Sequence, residues 1–303
     1  MDITLNELEV FVSVVDTGSL TGAAQQLDQT VSTVSRLLGK LEEKLGTTLL
    51  RRTTRRLDLT DEGCSFLTDA RAIIAGAMTA QERLSLRRGQ PSGPLRVDAS
   101  TPFALHVLAP LVDGYRRQYP LVELTLCSNE GYVDLIERRI DVAIRSGKLK
   151  DSSLHSRLLC RYALRIVASP GYLQTHGLPQ SVEDLGQHRL LGFSEPESLN
   201  LWPVRQGNGT PLHIHPDLAS DSGEVLRQLA LNGQGLACLG DFHTHRDRAC
   251  GDLVEVLAHE NTGTTPPLHA VYYRNTAESA RISSFVDYLV SALAGERWAV
   301  RGP

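Results

Sequence analysis

Apolar residues recur at intervals of three and four through the first 60 positions, which is the period of an amphipathic α-helix. This spacing predicts a first helix over residues 5–15, ended by Gly18, and a second, short helix over residues 23–27. A third helix is predicted over residues 31–46, with Thr30 as its N-cap and a glycine at its end. Three short helices therefore lie within about 45 residues.

The third predicted helix has two unlike faces on a helical wheel. The apolar face spans about 60° and holds four residues: Val34, Leu38, Leu41 and Leu45. The opposite face holds polar, basic or side-chain-free positions: Ser32, Arg36, Gly39 and Lys40. One face is therefore expected to pack inside the domain, and the other suits a groove walled by phosphates. An ordinary solvated face is the alternative interpretation.

A basic hairpin is predicted directly after this helix, because two short alternating segments flank a basic turn between Leu49 and Thr60. From Gln29 to Thr60 the chain has seven basic and three acidic residues, a local net charge of +4 in a chain whose net charge is −4. Contact with phosphates explains this window economically. In a helix-turn-helix with a basic β-wing, the second helix of the motif enters the major groove and the wing reaches the DNA backbone or the minor groove.

A long amphipathic helix is predicted after the hairpin. Thr60 is its N-cap, Asp61 and Glu62 lie in its first turn, and apolar residues keep helical spacing as far as Arg88. Such a helix is about 40 Å long and too apolar on one side to stand free. We therefore expect it to pack against a partner surface.

Residues 91–94, with the sequence Pro-Ser-Gly-Pro, mark a boundary, after which short β-branched runs alternate with helical stretches as in an α/β domain. Strands are predicted over residues 95–99, 122–127 and 141–144, and helices over residues 103–118 and 133–139. Right-handed crossovers make these strands parallel, so that their carboxyl ends meet at one edge. A second α/β lobe is predicted between residues 162 and 266.

Polar residues follow the predicted strands at the edge where open α/β sheets bind ligands. These candidates are Ser100, Thr101, Pro102, Ser128, Asn129 and Arg145. We expect a small metabolite with a carboxylate, held by Arg145 in a bidentate contact. A structural salt bridge is the alternative role of Arg145, and helix capping is that of the serines. Candidates for a second wall, chosen by position only, are Phe193, Ser194 and Ser220.

Several short motifs together resemble the LysR-type transcriptional regulators. They are residues 18–24 (Gly-Ser-Leu-Thr-Gly-Ala-Ala), 34–36, 41–42, 45–46 and 59–63, and later 169–173, Leu185, His188 and 232–237. The resemblance spans nearly the whole chain. Residues 30–33 (Thr-Val-Ser-Thr) depart from it, since many members have Gln or Pro near the start of the recognition helix, so no base preference is transferred. Val31 is a candidate for contact with a thymine methyl group.

The resemblance implies an α/β protein with an N-terminal, α-rich winged helix-turn-helix domain and a two-lobed effector domain like type II periplasmic binding proteins. The implied divisions are a DNA-binding domain over residues 1–60, a linker helix over 61–90 that pairs between subunits, and an effector domain over 91–303. Lobe I would take residues 91–161 and 267–303, and lobe II residues 162–266. Packing of the linker helix on its own effector domain is the alternative.

The implied partners are double-stranded DNA with a pseudo-palindromic operator, a small-molecule effector, further copies of the chain in a homodimer or homotetramer, and RNA polymerase. The candidate DNA-binding residues lie in the second and third helices and in the wing: Thr21, Gln29, Thr30, Val31, Ser32, Thr33, Ser35, Arg36, Lys40, Arg51, Arg52, Thr53, Arg55 and Arg56. The function expected is transcription regulation switched by a small ligand.

Other function classes have weaker support. The sequence has no G-x-S-x-G, H-E-x-x-H, Walker or helix-opening G-x-G-x-x-G motif, so we expect no catalysis and no cofactor. A solute-binding protein with a helical appendage is opposed by the basic wing and by the lack of a signal peptide. An enzyme whose helical part only dimerises it is the third hypothesis.

Metal or redox sensing is the alternative within the regulator architecture. The pairs His213/His215 and His243/His245 would each point to one side of a strand, but no Asp, Glu or Cys is placed beside them, so we expect no metal site. A redox switch between Cys238 and Cys250 is opposed by the lack of a basic neighbour at Cys238.

Composition and cysteine usage agree with a folded cytoplasmic protein. The chain has 303 residues, 41% of them hydrophobic and 22% charged, which is ordinary for a globular protein of about two domains. Its five cysteines are scattered and form no C-x-x-C motif: Cys64, Cys127, Cys160, Cys238 and Cys250. We expect reduced thiols, and no membrane partner, because no apolar run approaches the roughly 18 residues of a membrane span.

Overall fold

A computed structural model describes residues 3–52, 57–86, 90–131, 135, 138, 140–147, 154–273 and 279–300. The backbone alone is described for Arg52, Leu57, Met78, Thr79 and residues 81–86. The chain divides into two compact units, one formed mainly by residues 1–90 and the other mainly by residues 91–303.

The first unit contains the predicted helices and hairpin. The elements are α1 (Leu5–Thr17), α2 (Leu20–Gln26), α3 (Val31–Leu45), β1 (Leu50–Arg52), β2 (Leu57–Leu59) and α4 (Asp61–Leu86). Gly18 and Gly46 end α1 and α3 in the left-handed conformation, at φ angles of 65° and 66°. Strands β1 and β2 pair antiparallel, with Leu50 opposite Leu59. The predicted element types and order in this unit are confirmed.

One hydrophobic core holds this unit together. Its most buried members include Phe11 from α1, Ala23 from α2 and Leu38 from α3, all with no exposed surface. The close approach at the start of α4 requires glycine, because a Cβ atom on Gly63 would lie 2.1 Å from the carbonyl oxygen of Leu49. Thr60 caps α4 by accepting a hydrogen bond from the Gly63 backbone at 2.9 Å, as predicted.

The second unit begins with a six-stranded sheet, which defines lobe I. Its strands are β3 (Gly93–Ala99), β4 (Val122–Ser128), β5 (Val142–Ser146), β6 (Leu154–Tyr162), β14 (Pro267–Tyr273) and β15 (Ala299–Val300). Their order in the sheet is β15-β6-β14-β5-β3-β4. The pairs β3/β4 and β3/β5 are parallel, so the predicted parallel arrangement of the first three strands is confirmed.

A five-stranded sheet defines lobe II, in the order β11-β8-β12-β7-β13. Its strands are β7 (Leu164–Ala168), β8 (Leu190–Phe193), β11 (Leu218–Ser220), β12 (Leu236–Gly240) and β13 (Val254–Glu255). Strands β9 (Leu201–Arg205) and β10 (Pro211–His213) form a separate pair. The helices are α7 (Pro170–His176), α8 (Gly223–Leu231) and α9 (Asp241–Cys250).

The chain leaves lobe I at the end of β6 and returns at the start of β14. These two strands are antiparallel neighbours, with Pro267 opposite Arg161. The Tyr162 backbone also donates a hydrogen bond to the carbonyl oxygen of Pro266 at 3.2 Å. Both connections between the lobes therefore lie side by side. After β14, helix α10 (Ala280–Leu293) completes lobe I.

The predicted helix over residues 103–118 is irregular, and its first segment starts at Thr101 with Pro102 in the first turn. It consists of α5 (Thr101–Phe103), a π-helical segment (Ala104–Leu108) and α6 (Ala109–Gln118). The π-helical segment lies just before Pro110, which has no backbone N–H to offer to the preceding turn. Of the predicted helix over residues 133–139, only Leu135 and Arg138 are among the described residues.

Candidate functional site

Helix α3 presents the two faces that its sequence predicts. The residues Val34, Leu38 and Leu41 have no exposed surface and hold the helix in the core. The opposite face is exposed: Val31, Ser32, Arg36, Gly39 and Lys40. The core holds one side of this helix, and the other side carries an apolar residue, a hydroxyl group and two cations. Such a surface is suited to the major groove of DNA.

The turn before α3 is fixed by hydroxyl groups. Thr30 accepts a hydrogen bond from the Thr33 backbone at 3.2 Å, and its hydroxyl lies 2.9 Å from those of Ser32 and Thr33. Gln29 donates to Asn6 at 3.4 Å, while its own Oε1 atom is buried without a partner among the described residues. Thr21 is exposed and Ser35 is half-buried.

One of the basic residues between Gln29 and Thr60 is held in an ion pair inside the domain. Lys44 donates to both carboxylate oxygens of Glu7, at 2.7 and 2.9 Å, and Glu7 is only 3% exposed. The Lys44 hydrogen bond and one from the Thr4 backbone hold the pKa of Glu7 below its ordinary value. Lys44 is therefore neutralised inside the unit, whereas Arg36 and Lys40 stay exposed.

The wing is described only in part. Arg51 is exposed on β1 and lies opposite Asp58 on β2. Arg52 is described by its backbone alone, and the candidates Thr53, Arg55 and Arg56 lie outside the described residues.

In the second unit, the carboxyl ends of β3, β4 and β5 meet at one edge. Asp98 has no exposed surface and accepts hydrogen bonds from Arg145, at 2.5 Å, and from Asn129. The carboxylate thus joins all three strands. This is the salt bridge that the sequence leaves open as the alternative role of Arg145; its role as a ligand stays a prediction.

Residues from the two lobes approach one another beside this edge. A Cβ atom on Gly223, the first residue of α8, would lie 3.2 Å from Pro102 and 3.7 Å from Phe193. Ser222, just before α8, donates to Glu130 of lobe I at 2.9 Å. Pro102 of the predicted first wall and Phe193 of the predicted second wall therefore both lie near Gly223.

The remaining effector candidates lie at strand ends. Phe193 and Ser220 are partners at the ends of β8 and β11, and the Ser194 backbone donates to the Ser220 carbonyl at 3.0 Å. Ser128 and Ser194 are exposed, and Thr101 is half-buried. Ser100 occupies the N-cap of α5 without a side-chain capping bond, so capping does not account for its hydroxyl.

A polar cluster that the sequence does not indicate joins the lobes. His106, in the π-helical segment of lobe I, donates from Nε2 to Oε2 of Glu224 at 2.8 Å. His243, in α9 of lobe II, donates to the same oxygen at 2.9 Å. His106 and Glu224 are separated by 118 positions, so no local pattern could have paired them.

The two histidine pairs of the sequence have different structures. The rings of His213 and His215 are 6.0 Å apart at the end of β10. The expectation that His243 and His245 share one side of a strand is wrong, because both lie in α9, where positions two apart point about 200° apart. His243 is buried and lies beside Glu224, whereas His245 is half-buried and contacts the Phe242 carbonyl.

The candidate redox pair has an unreactive member. Cys238 is buried in β12, and burial raises the pKa of its thiol. Cys250 is exposed at the end of α9. Because the thiolate is the reactive form, the burial of Cys238 opposes a Cys238–Cys250 switch.

Comparisons with known proteins agree with this architecture. Residues 5–64 match the model of bacterial regulatory helix-turn-helix proteins of the lysR family, and residues 88–294 match the LysR substrate binding domain. The chain is 46% identical over 293 residues to the HTH-type transcriptional regulator CrgA of Neisseria meningitidis serogroup C (strain 8013), covering 97% of this chain and 98% of that protein.

Solved structures give the same result. The structure of CrgA from Neisseria meningitidis matches 97% of this chain and 100% of its own, with a TM-score of 0.66 and 44% identity. A full-length OxyR variant from Pseudomonas aeruginosa matches 100% of this chain and 99% of its own with a TM-score of 0.77; at 18% identity, it shows the fold alone.

A winged helix-turn-helix joined to a two-lobed effector-binding domain defines the protein as a DNA-binding transcription regulator. The chain belongs to the family of LysR-type transcriptional regulators. The resemblance in its motifs is thereby confirmed, and the matches support this function over the alternatives. Within the described residues, no helix is long and apolar enough to cross a membrane.

Proposed function

We propose that the exposed face of α3 reads the operator in the major groove and that the wing contacts phosphates. The observation that carries this proposal is the arrangement of α3, with Val34, Leu38 and Leu41 fully buried and Val31, Arg36 and Lys40 exposed opposite them. Arg36 is suited to base edges, and Lys40 and Arg51 to the backbone. The candidates in the turn, Gln29 to Thr33, lie where the helix N-terminus would enter the groove.

The regulator would work as a homodimer or homotetramer paired through α4. This helix has 26 residues, and its Ile73 is 52% exposed within the single chain. Pairing would bury such apolar residues and place two α3 helices on half-sites of a pseudo-palindrome. RNA polymerase is the expected further partner, the cytoplasm the expected location, and no catalysis is expected.

The effector site we propose is the region between the lobes, beside the end of β3. Thr101, Pro102 and Ser128 form the lobe I side, and Phe193, Ser194 and Ser220 the lobe II side. Within the described part of the chain, Arg145 uses two of its five N–H groups, on Asp98 and on the Ile144 carbonyl. Its remaining N–H groups support a carboxylate as the first class of effector to test.

A band-shift titration tests the DNA proposal with the chain's own upstream intergenic DNA. We expect specific binding whose affinity falls steeply with salt. Arg36→Ala should change the ranking of operator variants, and Arg51→Ala should weaken all sequences alike and reduce the salt slope by about 1. Binding that is insensitive to salt, or the reverse pattern in the two variants, would contradict the placement.

A thermal-shift screen against small carboxylates tests the effector proposal. A compound that stabilises the wild type and no longer stabilises Thr101→Val identifies the site. If its shift survives Thr101→Val, Ser128→Ala and Arg145→Ala alike, the ligand binds elsewhere.

A further inference from the structure

Three side chains that could bind a metal ion meet between lobe I and lobe II. Their potential ligand atoms, Nε2 of His106, Oε2 of Glu224 and Nε2 of His243, all lie within 4.8 Å of one another. Each side chain comes from a different helical element: the π-helical segment, α8 and α9. The side chains of His106 and Glu224 are 17% and 18% exposed, and His243 is 3% exposed, so the cluster is sheltered but within reach of solvent.

The shared carboxylate is held in place by its other oxygen. Arg227 donates to Oε1 of Glu224 at 2.8 Å, and Gln228 donates to the same atom at 3.2 Å. Arg227 is itself bound by Asp247, at 2.7 Å through Nε and 2.5 Å through Nη2. The second oxygen, Oε2, is therefore aimed at the two imidazoles. Such outer hydrogen bonds orient ligands in metal sites.

The electrostatics favour a cation at this point. Arg227 is paired with the carboxylates of both Glu224 and Asp247, at 2.8 and 2.5 Å. One cation against two carboxylates leaves a net negative charge beside the two imidazoles, and a metal cation would offset it.

We propose that His106, Glu224 and His243 form a zinc site that joins the two lobes. Two imidazole nitrogens and one carboxylate oxygen are a ligand set that zinc uses, with water in the fourth position. Ligand atoms about 2.1 Å from a tetrahedral ion lie about 3.4 Å apart. The present distances of 2.8 and 2.9 Å would thus open by about half an ångström. Each ring would release its Nε2 proton to solvent, and a ring that was neutral would take up a proton on Nδ1, so that the Nε2 lone pair can bind the metal.

A bound ion would fix lobe I against lobe II independently of any effector. In the metal-free protein one hydrogen bond, from His106 to Glu224, joins the lobes here, because the bond from His243 to Glu224 lies within lobe II. With three coordinate bonds, movement between the lobes at this point would require a ligand to leave the metal. This inference concerns a different site from the proposed effector pocket, and its test does not depend on DNA binding.

The experiment is a calorimetric titration of metal-stripped, full-length protein with Zn²⁺ alone. We expect one equivalent to bind per chain, and His106→Ala and His243→Ala each to weaken binding at least 100-fold. His245→Ala is the matched control on the same helix, and His213→Ala controls for the other histidine pair; both should bind as the wild type does. Co²⁺ should give the intense visible absorption of a tetrahedral complex, lost in His106→Ala.

Thermal unfolding separates the metal role from simple packing. If the cluster binds zinc, Zn²⁺ raises the Tm of the wild type and of His245→Ala but not that of His106→Ala. A purely structural cluster would lower the Tm of His106→Ala equally with and without zinc. The proposal is overturned by that result, by the absence of zinc binding in the wild type, or by binding that is lost only in His213→Ala.

Discussion

The ammonium group of Lys44 donates hydrogen bonds to both carboxylate oxygens of Glu7, so the last basic residue of α3 is tied to α1. Lys40, one turn earlier, is exposed on the opposite side of the helix from the core. Two lysines that look equivalent in the sequence therefore have different tasks. Lys44 is held in an ion pair within the domain, whereas Lys40 is exposed and is the one that we propose contacts a phosphate.

Replacement of each lysine by alanine should separate these tasks. Lys44→Ala leaves a buried carboxylate without its cation and should lower the free energy of unfolding by about 1–3 kcal/mol. Lys40→Ala should leave stability within about 0.5 kcal/mol and reduce the salt slope of DNA binding by about 1. Urea unfolding and band-shift assays at several salt concentrations measure the two effects. Equal salt slopes in Lys40→Ala and the wild type would contradict the assignment.

The same ion pair predicts a dependence on pH. The pKa of Glu7 is lower in the folded protein than its ordinary value of 4.5, so the unfolded chain binds its proton first. The stabilisation is therefore complete above about pH 4.5 and is lost as the pH falls towards the folded-state pKa. The stability difference between the wild type and Glu7→Gln should shrink between pH 6 and pH 3.5 in urea unfolding followed by circular dichroism. A constant difference over that range would refute this account.

Gly39 offers a change that should raise stability and weaken DNA binding. It lies within α3, and a Cβ atom there would meet nothing within 4 Å. Gly39→Ala should therefore stabilise the helix by about 0.8–1 kcal/mol. If this face enters the groove, the added methyl group should also weaken operator affinity. Gly171→Ala, in α7 and equally free of contacts, is the control that should leave DNA binding unchanged.

The buried pair at the edge of lobe I should respond to charge removal. Arg145→Met leaves Asp98, which has no exposed surface, without its cation, and should cost about 3–5 kcal/mol. Asp98→Asn combined with Arg145→Met should recover part of this loss, because no buried charge then remains. Thermal unfolding of the single and double variants measures the coupling. Additive losses would mean that the two side chains do not act as a pair.

Thiol reactivity should follow burial. Cys64 and Cys250 are exposed and should react first with a thiol reagent at pH 8. Burial raises the pKa of Cys160 to about 12 and also raises that of Cys238, so both should react only after unfolding. The combined changes Cys64→Ser and Cys250→Ser should abolish the fast phase and leave the slower reaction of the half-buried Cys127. Fast labelling of Cys238 in the folded protein would restore the case for a redox switch.

The sequence predicted the elements whose signals are local. The spacing of Val34, Leu38 and Leu41 and the glycine at position 46 define α3, and the structure differs by one residue at its end. The parallel orientation of β3, β4 and β5 followed from the handedness of crossover connections. These features depend on residues close in the chain or on a general rule of connection.

The contacts between distant residues were beyond such reasoning. Glu7 and Lys44 are 37 positions apart, and Asp98 and Arg145 are 47 apart, so their pairing depends on how the elements pack. Arg145 lies at the carboxyl edge of the sheet, as predicted, but its partner Asp98 could not be read from the sequence. The sequence drew attention to His243 through its spacing from His245. Its actual neighbours are His106 and Glu224, which lie in two other helical segments.

The chain enters and leaves lobe II through two neighbouring strands, at Tyr162 and Pro266. Lobe II is thus an insertion whose two ends lie about 5 Å apart, the distance between paired strands. Because its ends are neighbours, lobe II could be replaced by another folded unit with adjacent ends, and the strands of lobe I would not have to move. A family built in this way could acquire new sensors by replacing one lobe while its DNA reader stays the same.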